Sequence, residues 1–436
     1  MFGIFASPGH KMRANAQQWL ELAEKVQHYR RDRLDADDLR ALGAQIGEVR
    51  QLVKDKADRM KLKLAIESLE SVLRSVGGTH YPKSTLVENV EFFLVAAIVI
   101  LGFRAYFIQP FKIPTNSMWP SYYGMTVENF PPDEHAPGLI GRGFRLLAFG
   151  AQRREMSAPR SGTVSADFQE SGELAYTLKP GRSWFVFPTT VREYTFYVDG
   201  EPTHVTVPQD FQGVDQAMRE TFFGDDDGFA AYLRGLQQAG TKFERRLLEV
   251  YPSSGRGIRV FRVPLGRQVG SGAPILRFDV MTGDQLFVDR MSYHFVQPKV
   301  GQGFVFRTGK IDNPYMKDRT TGRQIDQYYI KRLVGEPGDK LEIKDFGLYR
   351  NGEPITGAAA FQKNAKREDH YIGYRNELGL DVGKTMTVPA DHYMALGDNS
   401  ANSQDSRYWG YVPAAEVVGR PLVIYYPFTK RWGPSR

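Results

Sequence analysis

Apolar residues recur at a spacing of three and four along residues 16–76, which are otherwise rich in charge. The longer helical stripe consists of Leu39, Leu42, Ile46, Val49 and Val53. A shorter stripe of Trp19, Leu22 and Val26 precedes it, and "LDADD" at 34–38 offers a cap for the second helix. The pattern therefore predicts two helices packed as a hairpin, although a homo-oligomeric coiled coil would cover the longer stripe equally well.

The most apolar segment of the chain runs from residue 85 to residue 109. Its unbroken apolar core, from Phe92 to Phe103, is shorter than the roughly 20 residues of a spanning helix, which leaves a buried helix as the alternative. Polar residues near its ends, such as Glu88 and Arg104, can reach the headgroup region, so the whole segment is predicted to span a membrane. A surplus of lysine and arginine before it predicts a cytosolic helical region at 1–84.

Beyond residue 110 the pattern changes to short alternating runs separated by glycine and proline turns. The run at 182–207 contains "DG", which predicts a β-hairpin, so this part of the chain is expected to be mainly β. A helical interruption is predicted from about 214 to 249. Its acidic "GDDDG" at 224–228 lacks the spaced ligands of an EF-hand loop and is interpreted as a solvated turn, so no metal site is predicted.

Composition narrows the possible chemistry. The 436 residues include 57 lysines and arginines against 50 aspartates and glutamates, a net charge of +7 that is too mild to choose between a membrane surface and nucleic acid. The sequence has no cysteine, which excludes disulfides, thiolate metal sites and cysteine nucleophiles. Any catalysis must therefore use other groups.

A serine flanked by prolines follows the apolar segment, in "FKIPTNSMWPSYYG" at 111–124. Pro114 and Pro120 fix their own backbone angles and disfavour helix in the residues before them, so Thr115 to Trp119 should form an ordered loop. Ser117 is thus a candidate for a presented hydroxyl, while an ordinary polar loop serine is the plain alternative.

A lysine lies on an apolar strand face in "YYIKRLV" at 328–334. The strand period places Tyr329, Lys331 and Leu333 on one face. Burial there would lower the pKa of Lys331 and make its amine a competent general base. The alternative is a lysine that reaches solvent at an exposed sheet edge.

A third stretch, "MALGDNSANSQDSRYWGYVP" at 394–413, is dense in glycine, asparagine, aspartate and serine. Such residues satisfy one another through side-chain to backbone hydrogen bonds and predict an ordered loop. Asp405 and Arg407 could be no more than a surface ion pair in this loop.

Taken in order, these motifs resemble the bacterial type I signal peptidases, also called leader peptidases, a family of membrane-anchored serine-lysine peptidases. The resemblance is carried by "RAYFIQPFKIPTNSMWPS", "GDQLFVDRMSYHFVQPKVGQGFVFR", "YYIKRLVGEPGDKLEI" and "YMALGDNSANSQDSRYWGYVPAAEVVGR". It covers roughly residues 86–124 and 283–425, and four motifs in the family's order are far more specific than any one of them.

The resemblance implies catalytic roles for four residues. Ser117 matches the nucleophile, Lys331 the general base, Thr115 a hydroxyl that helps to stabilise the oxyanion, and Ser403 a hydroxyl that positions the lysine. Asp405 and Arg407 match a structural pair that supports the last motif. The position before the nucleophile is usually glycine in this family, and here it is Asn116, which adopts positive φ more readily than most residues.

The implied fold is a mainly β catalytic domain with the antiparallel architecture of signal peptidases. It would comprise residues 110–124 and 282–436 and follow one N-terminal transmembrane helix and the α-helical hairpin. Residues 125–281 would form a large α+β insertion, an inserted lobe near the substrate cleft whose role the sequence leaves open.

The implied function is removal of N-terminal signal peptides from exported preproteins, with the catalytic domain on the periplasmic side of the bacterial inner membrane. Signal peptides and membrane lipid are the expected partners. The resemblance requires no cofactor and no nucleic acid, and it leaves the oligomeric state open.

Two alternatives remain at this point. One is a catalytically inactive membrane-anchored binding or assembly protein with the same fold. The other is a self-cleaving repressor-type serine-lysine protease, against which the membrane segment and the missing DNA-binding motif argue.

Overall fold

The computed structural model describes residues 8–82, 85–132, 134–183, 187–250, 257–318 and 322–435. The chain forms two compact units, Met1–Gly102 and Phe103–Arg436. The helices are α1 Pro8–Arg30, α2 Ala36–Lys54, α3 Arg59–Val76, α4 Thr85–Tyr106, α5 Leu139–Phe149, α6 Val214–Phe223, α7 Asp226–Gln238, α8 Ala359–Lys366 and α9 Ser406–Trp409.

The strands follow the same numbering along the chain. They are β1 Ile108–Lys112, β2 Thr126–Asn129, β3 Gln152–Ser157, β4 Gly162–Gln169, β5 Tyr176–Ser183, β6 Phe187–Val198, β7 Glu201–Pro208, β8 Glu244–Glu249, β9 Gly257–Val269, β10 Pro274–Met281, β11 Gln285–Asp289, β12 Gly303–Arg307, β13 Tyr328–Gly335, β14 Lys340–Lys344, β15 Gly347–Arg350, β16 Glu353–Pro354, β17 Met386–Thr387, β18 His392–Leu396, β19 Val412–Pro413, β20 Val417–Tyr426 and β21 Gly433–Pro434.

Among the described residues three helices, not two, precede the apolar segment: α1 and α2 pack together as predicted, and the sequence analysis missed α3. Helices α1 to α3 share one core, to which α3 contributes Leu62, Leu69 and Leu73. The third helix is needed because its own apolar stripe covers faces that a two-helix hairpin leaves open to water. Asp35 caps α2 as predicted, and Asp58 caps α3 in the same way.

Helix α4 has 22 residues and is long and apolar enough to cross a membrane. None of its residues is buried by the rest of the protein, and side chains such as Phe92, Ile98 and Ile100 are more than 60% exposed. The alternative of a helix buried in the protein core is therefore wrong.

One antiparallel sheet of eight strands organises the second unit. Its order is β1-β11-β20-β12-β13-β18-β19, with β21 paired to β20. Strand β1 therefore lies at an edge. In β13, residues 328–332 pair with β12, whereas β18 pairs from Arg332 onward, so among the described residues the other side of 328–331 is open. A four-stranded sheet of β16, β15, β14 and β17 adjoins it in sequence.

Residues 125–281 build two further sheets, β2-β10-β3 and β5-β6-β4-β9-β8, with β7 paired to β6. Their shared apolar core runs from Met125 to Val280 and includes Phe168, Phe196 and Phe278. The predicted Asp199-Gly200 hairpin turn is present, with positive φ at both residues. The predicted helical stretch ends at Gln238, however, because 244–249 pair with β9 as a strand instead.

Candidate active site

The loop between β1 and β2 is held by apolar anchors on both sides of Ser117. Ile113, Met118 and Tyr122 are buried in one cluster with residues of β11, β12 and β20. Ser117 lies between these anchors and is itself only 8% exposed. The loop is ordered and non-helical, as predicted, and Ser117 is not a solvated polar serine.

Asn116 fastens this loop through its side chain. Its amide oxygen accepts the backbone N–H of Gly124 at 2.9 Å, and its amide nitrogen donates to the carbonyl of Met125 at 3.2 Å. Asn116 is not among the residues with positive φ, so the expected left-handed backbone is not used. Gly124 is required at the other end because a Cβ there would collide with the backbone of Thr115.

Lys331 is buried at 4% exposure in the middle of β13, so the alternative of a lysine reaching solvent is wrong. Its strand neighbours Tyr329 and Leu333 pack with Phe304 and Phe306, which confirms the apolar face predicted from the strand period. The Lys331 Nζ lies 5.7 Å from the centre of the Tyr329 ring. Few water molecules can therefore solvate a charge at this amine.

The Nζ of Lys331 lies 2.5 Å from the Oγ of Ser117, to which it donates a hydrogen bond. Burial lowers the pKa of Lys331 from its ordinary 10.5 to about 8, against the opposing pull of the carboxylates of Asp405 and Asp398. An appreciable fraction of the amine is therefore neutral near physiological pH. A neutral amine beside a serine hydroxyl is the arrangement of a general base and its nucleophile.

The loop from Gly397 to Ser403 packs directly against the nucleophile loop. The N–H of Asn399 donates to the carbonyl of Ser117 at 3.1 Å, and its side chain donates to the carbonyl of Asn116 at 3.1 Å. A Cβ at Gly397 would collide with Ser403 and with the Ser117 carbonyl. The Oγ of Ser403 is buried and finds no hydrogen-bond partner among the described residues.

Two buried ion pairs lie next to the loop at 397–403 and to Lys331. Asp405 and Arg407 are both fully buried and paired at 2.8 Å, so the surface pair considered from the sequence is wrong. Arg407 also donates to the carbonyls of Ser400 and Ser403. The Arg332 guanidinium, next to Lys331 in the chain, pairs with the buried Asp398 at 2.6 Å.

A cavity of about 920 Å³ opens in front of Ser117 and Lys331. Thr115 and Ser403 also line it, so all four predicted site residues meet at one cleft. The walls are β1 with the residues that follow it, the open side of β13, and the loop at 401–404. Asp210 and Gln212, from the segment 125–281, also line the cavity; the sequence placed this segment near the cleft but did not indicate either residue.

Asp284 is a further residue that sequence reasoning missed. It is completely buried, accepts the N–H of Tyr123 at 2.9 Å, and is paired with Arg431 at 2.8 Å. The guanidinium of Arg431 also lies over the Tyr123 ring at 3.6 Å. The end of the nucleophile loop is therefore fixed by a residue near the C-terminus of the chain.

Comparison with known proteins agrees with this site. The family model described as signal peptidase, peptidase S26 matches residues 269–426, a stretch that includes Lys331 and Ser403. Signal peptidase I of Leptolyngbya laminosa is 31% identical over 174 residues, which is 40% of this chain and 74% of that protein. The chain belongs to the signal peptidase I family. It is a signal peptidase, a hydrolase of the protease class.

Two further relatives and one solved structure are similar to this signal peptidase. The probable signal peptidase I-1 of Synechocystis is 31% identical over 151 residues, or 35% of this chain and 66% of that protein. The inactive signal peptidase IA of Staphylococcus aureus is 26% identical over 148 residues, or 34% and 72%. A signal peptidase I crystal structure from Enterococcus faecalis is 28% identical, covers 28% of this chain and 97% of its own, and has a TM-score of 0.20.

Proposed function

We propose that this signal peptidase is a membrane-anchored serine endopeptidase that removes signal peptides with a dyad of Ser117 and Lys331. The hydrogen bond between the Lys331 Nζ and the Ser117 Oγ, in a buried site that lowers the lysine pKa, carries the proposal. Helix α4 is the proposed anchor, in a single pass. The catalytic domain would lie on the periplasmic side of the inner membrane and the preceding helices in the cytosol.

The reaction would begin when neutral Lys331 accepts the proton of the Ser117 hydroxyl as its oxygen attacks the scissile carbonyl. The Ser117 N–H and the Thr115 hydroxyl would stabilise the resulting oxyanion. Lys331 would then give the proton to the leaving amine of the mature protein. A water molecule activated by the same lysine would release the signal peptide as a carboxylic acid and regenerate Ser117.

The cleft suits an extended substrate. Strand β1 lies at the sheet edge, and residues 328–331 of β13 have one open side, so an extended peptide can add its backbone hydrogen bonds to either. Both elements line the cavity that contains Ser117. We propose that small residues before the cleavage site, in the A-x-A pattern, place the scissile bond beside the nucleophile.

Ser403 would act as a positioning residue. Its buried Oγ lacks a partner among the described residues, so it is available to hold the Lys331 amine in the orientation that faces Ser117. The alternative is a catalytically inactive membrane-anchored binding or assembly protein of the same fold, which the inactive relative from Staphylococcus aureus keeps open. The paired serine and lysine favour the enzyme.

A cleavage assay of the full chain in detergent, with a preprotein carrying an A-x-A site, distinguishes the two. Wild type should cleave at that site, while Ser117→Ala and Lys331→Ala should not, although both stay folded. Lys384→Ala is the matched control, because this lysine is 61% exposed and outside the cleft. Full activity of either dyad variant would refute the proposed mechanism, and a folded but inactive wild type would favour the binding protein.

A further inference from the structure

Helix α5, Leu139–Phe149, exposes its apolar side to the outside of the protein. Leu139 is 85% exposed, Ile140 91%, Phe144 64% and Leu147 77%. These four residues follow the spacing of one helical face. Scattered exposed apolar residues are ordinary, but a contiguous face of four large side chains on an 11-residue helix is not.

Of the two charged residues of α5, Arg145 points inward, whereas Arg142 is 40% exposed and lies 3.8 Å from Glu155. Arg145 pairs with Asp279 at 2.9 Å and with Glu128 at 2.7 Å, and only 16% of its side chain is exposed. Asp279 itself is buried. The ion pairs of Arg145 therefore hold the polar side of the helix against the protein, and the apolar side faces outward.

Two aromatic residues of the C-terminal segment contact the last turn of α5. The N–H of Phe428 donates to the carbonyl of Ala148 at 3.0 Å, and the Tyr426 hydroxyl donates to the carbonyl of Leu146 at 3.1 Å. Phe428 is 59% exposed, and Trp432 and Lys430 are exposed nearby in the chain. Large exposed aromatic residues beside an apolar patch are typical of the boundary between lipid and water.

We propose that α5 is an interfacial helix that seats the segment 125–281 on the lipid bilayer through Leu139, Ile140, Phe144 and Leu147. This rests on the proposed anchoring by α4. Since α4 ends at Tyr106 and β1 begins at Ile108, a single residue joins the proposed anchor to the sheet, so the first residue of β1 must lie close to the bilayer. An 11-residue helix is about 17 Å long, and its face falls short of the about 800 Å² per partner of a stable dimer, which argues against a second copy.

The position of α5 adds a geometric requirement. The start of β1, next to α4, lies at one end of β11, where Ile108 pairs with Asp289. Helix α5 lies at the opposite end of β11, because it contacts Tyr426, which pairs with Gln285. The two ends are about 14 Å apart along the strands. For both α4 and α5 to meet the bilayer, these strands must run along its surface and not away from it.

The absence of cysteine from the sequence allows a direct test. Full-length Ile140→Cys would carry an environment-sensitive fluorophore in vesicles of phosphatidylethanolamine and phosphatidylglycerol, some of which contain quencher-labelled lipid. Ile98→Cys in α4 reports the anchor, and Gln238→Cys at the exposed end of α7 is the polar control in the same segment. Substitution at Ile140 should leave the fold intact because the side chain is 91% exposed.

We expect lipid-borne quenching at Ile140 to exceed that at Gln238 by about threefold or more. If Ile98 is quenched by lipid but Ile140 responds only to a water-soluble quencher, the role of α5 is refuted and the anchor stands. If lipid quenches neither Ile140 nor Ile98, both the role of α5 and the anchoring by α4 are refuted. Energy transfer between labels at Ile140, without lipid quenching, would show that a second copy covers the face and would also refute the proposal.

Discussion

Replacing Lys331 by methionine should abolish cleavage and yet stabilise the protein at neutral pH. Methionine has a similar length and no charge, and the site it would occupy is apolar on the side of Tyr329 and Leu333. The folded protein holds the lysine pKa at about 8, against 10.5 when it is solvated. Confining a protonated lysine there therefore costs free energy of folding.

The size of this effect follows from the shift. About 2.5 pKa units correspond to about 3 kcal/mol. Between pH 8 and 10.5 the unfolded chain binds more protons than the folded one, so wild-type stability rises with pH in this window. Below pH 8 Lys331 is protonated in both the folded and the unfolded chain, so the folded protein bears the full cost of burying the charged amine. The methionine variant lacks this titration, so its advantage over wild type should be about 3 kcal/mol larger at pH 7 than at pH 10.5.

Denaturant unfolding in detergent, measured at several pH values from 7 to 10.5, tests this. Trp409 is a suitable fluorescent reporter because it is buried beside Phe306, whose ring centre lies 5.8 Å away. Lys384→Met, at an exposed position, supplies the control and should show little pH dependence of its difference from wild type. A stability difference between Lys331→Met and wild type that stays constant over this range would refute the argument that burial shifts the lysine pKa.

Four further outcomes are expected from the same site. The kcat/KM of wild type should rise through about pH 8 and then level off, because only the neutral Lys331 amine accepts a proton; a rise centred near pH 10 would contradict a lowered pKa. Thr115→Val should lower kcat about 100-fold while Thr115→Ser keeps most of it, and equal losses would rule out a hydroxyl donor to the oxyanion. Ser403→Ala should lower kcat about tenfold or more with little change in KM, and an unaltered kcat would remove its positioning role. Asp210→Asn should reduce, by about threefold or more, the preference for peptides with lysine over those with glutamate near the cleavage site, because Asp210 lines the cleft and contributes a negative charge to it. Asp227→Asn, on exposed α7, should leave that preference unchanged.

Local sequence patterns correctly predicted the elements whose structure depends on residues close by in the chain. The period-2 reading of β13 placed Lys331 on the face that packs with Phe304, since alternation along a strand is fixed by backbone geometry. Two prolines predicted the ordered loop around Ser117. The cap at Asp35 and the turn at Asp199 were likewise local. In each case a short stretch contains all the residues that decide the structure.

Features that depend on distant segments could not be predicted in this way. The third N-terminal helix covers a stripe that the sequence alone did not assign to a partner. Residues 244–249 became a strand because β9 offers them a pairing edge. Asn116 does not adopt a positive φ. Its side-chain amide instead makes two hydrogen bonds, to Gly124 and Met125, which lie eight and nine residues further along the chain. The Asp284 and Arg431 pair spans 147 residues, so no local pattern indicates it.

The separation of Ser117 from Lys331 by 214 residues has a consequence for the order of folding. At about 5–20 residues per second, the base is synthesised about 10–40 s after the nucleophile. During that time the segment 125–281 can form its own core, and the pairing of Thr126 with Met281 closes it at its base. Its ends then meet where a side chain at Gly283 would strike Gly124. Most of the entropic cost of closing this long loop is thus met before β11 pairs with β1, and the active site assembles only after Lys331 and the loop at 397–407 have been synthesised.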